Sequence, residues 1–95
     1  MKMNSRPRWQ RYVAYVHNDW TVRGAVSVPQ LAAETAAIDG FGVAQRALYT
    51  YMEDGNNAQM EMRSALLISC ALRRLCRVNL TLADFDGDGI LKRRK

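Results

Sequence analysis

The sequence is poor in the residues that build catalytic and metal centres. Its 95 residues include one histidine and two cysteines. Cys70 and Cys76 fall six apart within one apolar-periodic stretch, a spacing that turns them away from each other on a helix and prevents a disulfide between them. Neither makes a metal-ligand spacing with His17. Both read as buried thiols of a cytoplasmic protein, and His17 as a partly buried structural histidine. With no Ser/His/acid or Cys/His arrangement and no phosphate-binding glycine loop, no enzyme activity, cofactor or metal is expected. The longest apolar run, Ala65 to Leu72, is interrupted by Ser69 and ended by Arg73, far short of a bilayer span. The N-terminus lacks the apolar core of a signal peptide. Sustained period-two alternation is missing, so no sheet is expected, and there is no internal repeat.

What is present is basic charge and helical periodicity. The formal charge is +5, which favours a polyanionic partner. Residues 1 to 30 carry Lys2, Arg6, Arg8, Arg11 and Arg23 against Asp19, and residues 63 to 83 carry Arg63, Arg73, Arg74 and Arg77 with no acid. The block between them sets Arg46 against Glu34, Asp39, Glu53, Asp54 and Glu61.

Trp9, Tyr12, Val13, Val16 and Trp20 recur at helical spacing, predicting a first helix that opens at Ser5 or Arg6, tolerates Pro7 in its first turn and stops at Gly24. Ser27-Val-Pro-Gln30 marks a second start, with a capping serine and a proline whose missing N–H costs nothing. Leu31, Ala32, Thr35, Ala36 and Ile38 continue that helix. Asp39-Gly-Phe-Gly42 breaks it, with Phe41 expected to plug the core. A third helix, about residues 43 to 54, buries Val43, Ala47, Leu48, Tyr51 and Met52 and presents Gln45, Arg46, Tyr49 and Thr50. Asn56 or Asn57 then suits the cap of a long helix through Met60, Leu67, Ile68, Ala71, Leu72, Leu75 and Cys76. That helix is apolar enough to be a central strut or to bury one side against a second copy of the chain. Arg63, Arg73, Arg74 and Arg77 fill its polar arc, as either a solvated face or a phosphate-facing patch. A last turn brings Leu80, Leu82 and Phe85 to the core. The expected fold is an all-α, compact bundle of four to five helices over residues 8 to 85, after a basic lead-in (1 to 7) and before an acidic turn and basic tail (86 to 95).

In that last segment, Asp84, Asp86 and Asp88 with Gly89 match the first half of a calcium loop. The position of the closing glutamate is Lys95, so an acidic turn is the expected reading.

Leu31-Ala32, the Gly42-Val-Ala-Gln45 opening, Leu48, Tyr51, the Glu53-Asp-Gly55 close and the later Leu66-Leu-Ile68, Ala71-Leu72 and Val78-Asn-Leu-Thr-Leu82 together resemble helix-turn-helix domains of the phage-repressor, lambda-repressor-like type. The resemblance implies a helix-turn-helix-like core whose third helix lies in the major groove of double-stranded DNA. By position, Gln45 and Arg46 are then the base-reading candidates, supported by Tyr49 and Thr50. Arg8, Arg11, Arg73, Arg74 and Arg77 are the phosphate-contact candidates. The implied protein is a small transcriptional regulator, acting as a dimer. The acidic middle block supports an alternative of another class: a small phage or mobile-element adaptor or inhibitor that binds a host protein through the same kind of bundle.

Overall fold

The computed structural model describes residues 7–16, 21–54 and 60–85. It corrects the all-α expectation. Among these residues three α-helices pack with a three-stranded mixed sheet, in the order 3₁₀ turn (Arg8–Tyr12), β1 (Val13–Val16), β2 (Thr21–Arg23), β3 (Val26–Ser27), α1 (Val28–Asp39), α2 (Gln45–Asp54), α3 (Met62–Cys76) and a closing 3₁₀ turn (Leu82–Phe85).

The predicted first helix is the part that fails. Its apolar spacing fits a helix, but Tyr12, Val13, Tyr15, Val16, Thr21 and Val22 are β-branched or aromatic, residue types that fit a pleated surface better than a helical one. The chain instead makes a short 3₁₀ turn that buries Trp9 and Gln10, then two strands. β1 lies centrally, antiparallel to β2 with Ala14 opposite Arg23 and Val16 opposite Thr21, and parallel to β3 with Val13 opposite Val26. Val13 is buried, whereas Val16, placed on the buried stripe by the helical reading, is 77% exposed. Four-residue strands show too few alternations to be distinguished from a helical stripe by periodicity alone. His17 and Trp20 lie outside the described residues.

α1 forms where its punctuation places it. The backbone N–H of Gln30 donates to Ser27 Oγ at 3.2 Å, Pro29 occupies the first turn, and Gly40 ends the helix in the left-handed conformation, its N–H donating to the Ala36 carbonyl. α3 begins at Met62 with Glu61 at the cap position. The expected cap at Asn56 or Asn57 lies outside the described residues. α3 runs antiparallel to α1, as two ion pairs show: Asp39 with Arg63 at one end and Glu34 with Arg74 at the other.

Leu31 from α1, Leu48 and Met52 from α2, Ile68 and Leu72 from α3, and Trp9 and Phe85 from the two 3₁₀ turns meet in one core. The Trp9 and Phe85 rings stack edge to face, centroids 5.7 Å apart. Leu80 packs at the margin of the core, and the Leu82 side chain lies outside the described residues. Phe41, expected in the core, is 85% exposed, because Asp39 draws the turn backbone inward and leaves the ring outside. The two cysteines are half-buried free thiols rather than fully buried ones.

Ile68 is fully enclosed and Leu66, two residues earlier on α3, is 55% exposed. Ile68→Ala is therefore expected to cost about 2–5 kcal/mol in urea denaturation, and Leu66→Ala within about 0.5 kcal/mol of nothing.

Candidate nucleic-acid interface

The outward face of α2 depends on how the turn before it is held. Asp39 Oδ1 accepts from the backbone N–H groups of Phe41, at 2.9 Å, and Gly42, at 2.7 Å. These two bonds, with Arg63 third, hold the Asp39 carboxyl below the usual carboxylate range. Thr35 Oγ1 donates to the Ala32 carbonyl and accepts from the Val43 N–H at 2.9 Å, so one α1 hydroxyl satisfies a buried donor at the start of the next element. Arg63 Nη2 donates both to Asp39 Oδ2 and to the Gly42 carbonyl, each at 3.0 Å, tying α3 to the same turn. Gly42 sits at φ 67°, and a Cβ there would lie 2.5 Å from the Ala36 nitrogen and 2.8 Å from Thr35 Oγ1. Only glycine fits this approach of turn to helix.

From that turn α2 leaves with its first hydrogen bond between Leu48 N–H and the Ala44 carbonyl. Leu48 and Met52 are fully buried. Tyr51 is held from two sides: buried Gln10 donates through Nε2 to the Tyr51 carbonyl at 2.9 Å, and Tyr51 Oη lies 3.5 Å from Ser64 Oγ. The Gln10 bond satisfies one of the carbonyls that a helix leaves open in its last turn.

Opposite this anchored side, Gln45, Arg46, Tyr49, Thr50 and Glu53 form one outward stripe at helical spacing. All four sequence-predicted base-reading candidates are exposed, with Tyr49 at 41%. Thr50 Oγ1 donates to the Arg46 carbonyl. The Tyr49 ring packs tilted against Tyr15 of β1, centroids 5.9 Å apart, and Tyr15 Oη donates to Glu53 at 3.4 Å.

The phosphate-contact candidates are dispersed. Arg8 is paired with Asp84, which also accepts from the Thr81 N–H, and Arg74 is paired with Glu34. The Arg8 guanidinium is held above its ordinary pKa by the Asp84 charge. Arg11, Arg73 and Arg77 are exposed and make no ion pair among the described residues. α3 meets the α1–α2 turn at Arg63, and a rise of about 1.5 Å per residue puts Arg73 roughly 15 Å further along. Arg73 and Arg77 thus lie toward the far end of α3 from the start of α2, and the structure does not gather them beside Gln45 and Arg46. Arg77 instead closes α3 in the left-handed conformation at φ 61°.

Arg23 belongs to the basic block of residues 1 to 30 but was not among the DNA-contact candidates. It lines an open cleft of about 540 Å³ together with Ala14, Tyr15, Val16, Thr21 and Tyr49. The missing signal was strand pairing, which alone brings β2 next to β1 and so next to α2. Among the described residues no group of three or more His, Cys, Asp or Glu side chains is placed to hold a metal ion, and no helix is long and apolar enough to cross a membrane. Asp86 and Asp88 lie outside the described residues. Comparison with protein-family models, curated proteins and solved structures finds no match to the chain.

Two measurements check the turn. Gly42→Ala is expected to destabilise the fold by about 2–4 kcal/mol, from left-handed strain plus overpacking against α1. Gly40→Ala, at φ 88° with open space around it, should cost only about 1 kcal/mol. Because the folded Asp39 carboxyl is depressed, its contribution is present above the unfolded value near pH 4 and is lost as pH falls through the folded one. Asp39→Ala is accordingly expected to melt lower than the parent protein at pH 7, with the two melting temperatures converging under strong acid.

Proposed function

We propose that the chain belongs to the class of proteins that present a helix to double-stranded DNA. More particularly, we read it as a small transcriptional regulator that acts in the cytoplasm and lays α2 in the major groove. One observation carries this reading. α2 is anchored on one side by fully buried Leu48 and Met52, and on the other it exposes Gln45, Arg46, Tyr49 and Thr50 in a continuous stripe. Gln pairs two-pronged with adenine and Arg with guanine, and both need a rigid helix to bring them to base edges in register. The connection of residues 40 to 44, held by Asp39, Thr35 and Arg63, supplies that rigidity. Exposed Met62 and Leu66 on α3 offer a surface for a second copy, as a two-fold site requires.

Glu53 favours a second reading. It shares the stripe, and a carboxylate there repels phosphate, whereas a basic protein surface would accept it. In that reading α2 docks on a host protein.

Selection from a random duplex pool at low salt, repeated with variants, separates the two. DNA reading predicts one enriched sequence, and Arg46→Ala should lose about 1–3 kcal/mol of discrimination at a single base position. Glu53→Gln should then raise affinity for every duplex. An unchanged preference and affinity in Arg46→Ala would remove α2 as the reading element. Protein docking instead predicts no enriched duplex and weaker partner binding in Glu53→Gln.

A further inference from the structure

Helix α3 has two patterned sides, and the fold of a single chain uses one of them. Ser64, Ala65, Leu67, Ile68, Ala71 and Leu72 fill the core. Met62, Leu66, Ser69 and Arg73 follow in steps of four, three and four, the spacing of a seam that faces another helix. Met62, Leu66 and Arg73 are exposed and Ser69 is half-buried. Val16, Phe41, Tyr49, Met62 and Leu66 are the large apolar side chains left exposed among the described residues, and only Met62 and Leu66 stand one helical turn apart on a single element.

The open charges of α3 are sorted by end. Glu61, at the N-cap, is exposed, and its carboxylate makes neither a capping hydrogen bond nor an ion pair among the described residues. Arg73 and Arg77, at the other end, are exposed and equally unpaired, whereas Arg63 and Arg74 are neutralised by Asp39 and Glu34 of α1. A stripe with an acid at one end and two bases at the other complements itself when turned end for end and repels itself when laid parallel. A two-fold axis supplies that arrangement, since residue i then meets j and j meets i. Glu61 opposite Arg77 places the axis at Ser69, whose small side chain lets the two helices approach. The aliphatic stem of Arg73 then lies over Leu66 and Met62 of the other copy, with its guanidinium reaching toward Glu61.

We infer that α3 pairs antiparallel with α3 of a second copy about a two-fold axis at Ser69, with Glu61 of each copy facing Arg77 of the other. This rests on the reading that α3 offers its exposed side to a second copy, and it gives that contact a register. The helix has 15 residues, so it is about 22 Å long and 10–12 Å across. Its outward side buries a few hundred Å² per copy, less than the roughly 800 Å² of a standard interface. The dimer is therefore a weak one.

The test is sedimentation equilibrium of the full chain without DNA, in which a dimer is expected at about 100 µM and above. Leu66→Glu should stay monomeric throughout. Glu61→Arg and Arg77→Glu are each expected to weaken the dimer about tenfold, and the two together to return it to within about threefold of the parent protein. Where a charge variant melts lower than the parent, cross-linking reads the register instead. With Cys70→Ser and Cys76→Ser in place, Ser69→Cys is expected to form a covalent dimer on mild oxidation. Met62→Cys in the same background is not, because the rise per residue sets the two copies of that position about 21 Å apart. A covalent dimer through Met62→Cys, or no recovery in a folded double charge variant, overturns the antiparallel register. A parent protein that is monomeric at every concentration overturns the contact itself. The α2 reading is judged separately: a monomer that selects one duplex sequence keeps α2 and loses this dimer, and a dimer of the expected register that selects none does the reverse.

Discussion

The carboxylate of Asp39 stands where three elements meet. It ends α1, receives the backbone of the turn into α2, and takes the guanidinium of Arg63 from α3. Remove the two backbone donors and Gly42 is no longer drawn against Ala36. The angle at which α2 leaves α1 is then set only by the burial of Leu48 and Met52, which fixes a face but not a direction. Thr35 reinforces the arrangement from inside the core, where an unsatisfied Val43 N–H would otherwise cost about 1–3 kcal/mol. The outward stripe of α2 is therefore a product of polar geometry at a turn as much as of apolar burial beneath it.

Helix α3 plays the complementary part. Its buried side supplies Ile68 and Leu72 to the core, and its arginines at 63 and 74 pair along α1. Exposed pairs of this kind add little stability in water, but the two of them, Asp39 with Arg63 and Glu34 with Arg74, fit only an antiparallel register of the helices. Arginines used in this way are partly neutralised, whereas Arg11, Arg23, Arg46, Arg73 and Arg77 are exposed and make no ion pair among the described residues. The arginines of the described residues thus divide between those that hold the fold and those left open to solvent.

The helical half of the molecule was readable because its signals are local. Ser27, Pro29 and Gly40 each act on backbone within four residues, and α2 carries its own two-sided pattern. The same locality misled at the N-terminus, where Trp9, Tyr12, Val13 and Val16 satisfy a helical period by coincidence. Phe41 was placed in the core on hydrophobicity alone, but the Asp39 cage fixes the backbone at that point and the ring follows the backbone.

The sequence by itself determined where α1 starts and stops, which side of α2 is apolar, and that Gln45, Arg46, Tyr49 and Thr50 fall together on the other side, because capping and helical periodicity act over a single turn. Only the tertiary structure decided that Val13–Val16, Thr21–Arg23 and Val26–Ser27 form a sheet, that Arg8, Arg63 and Arg74 are tied to carboxylates, and that Arg23 lines a cleft with Tyr49 of α2. A strand is stabilised by partners distant in sequence, and a charge is neutralised or left open by what folding brings to it. Neither can be settled before the chain closes on itself.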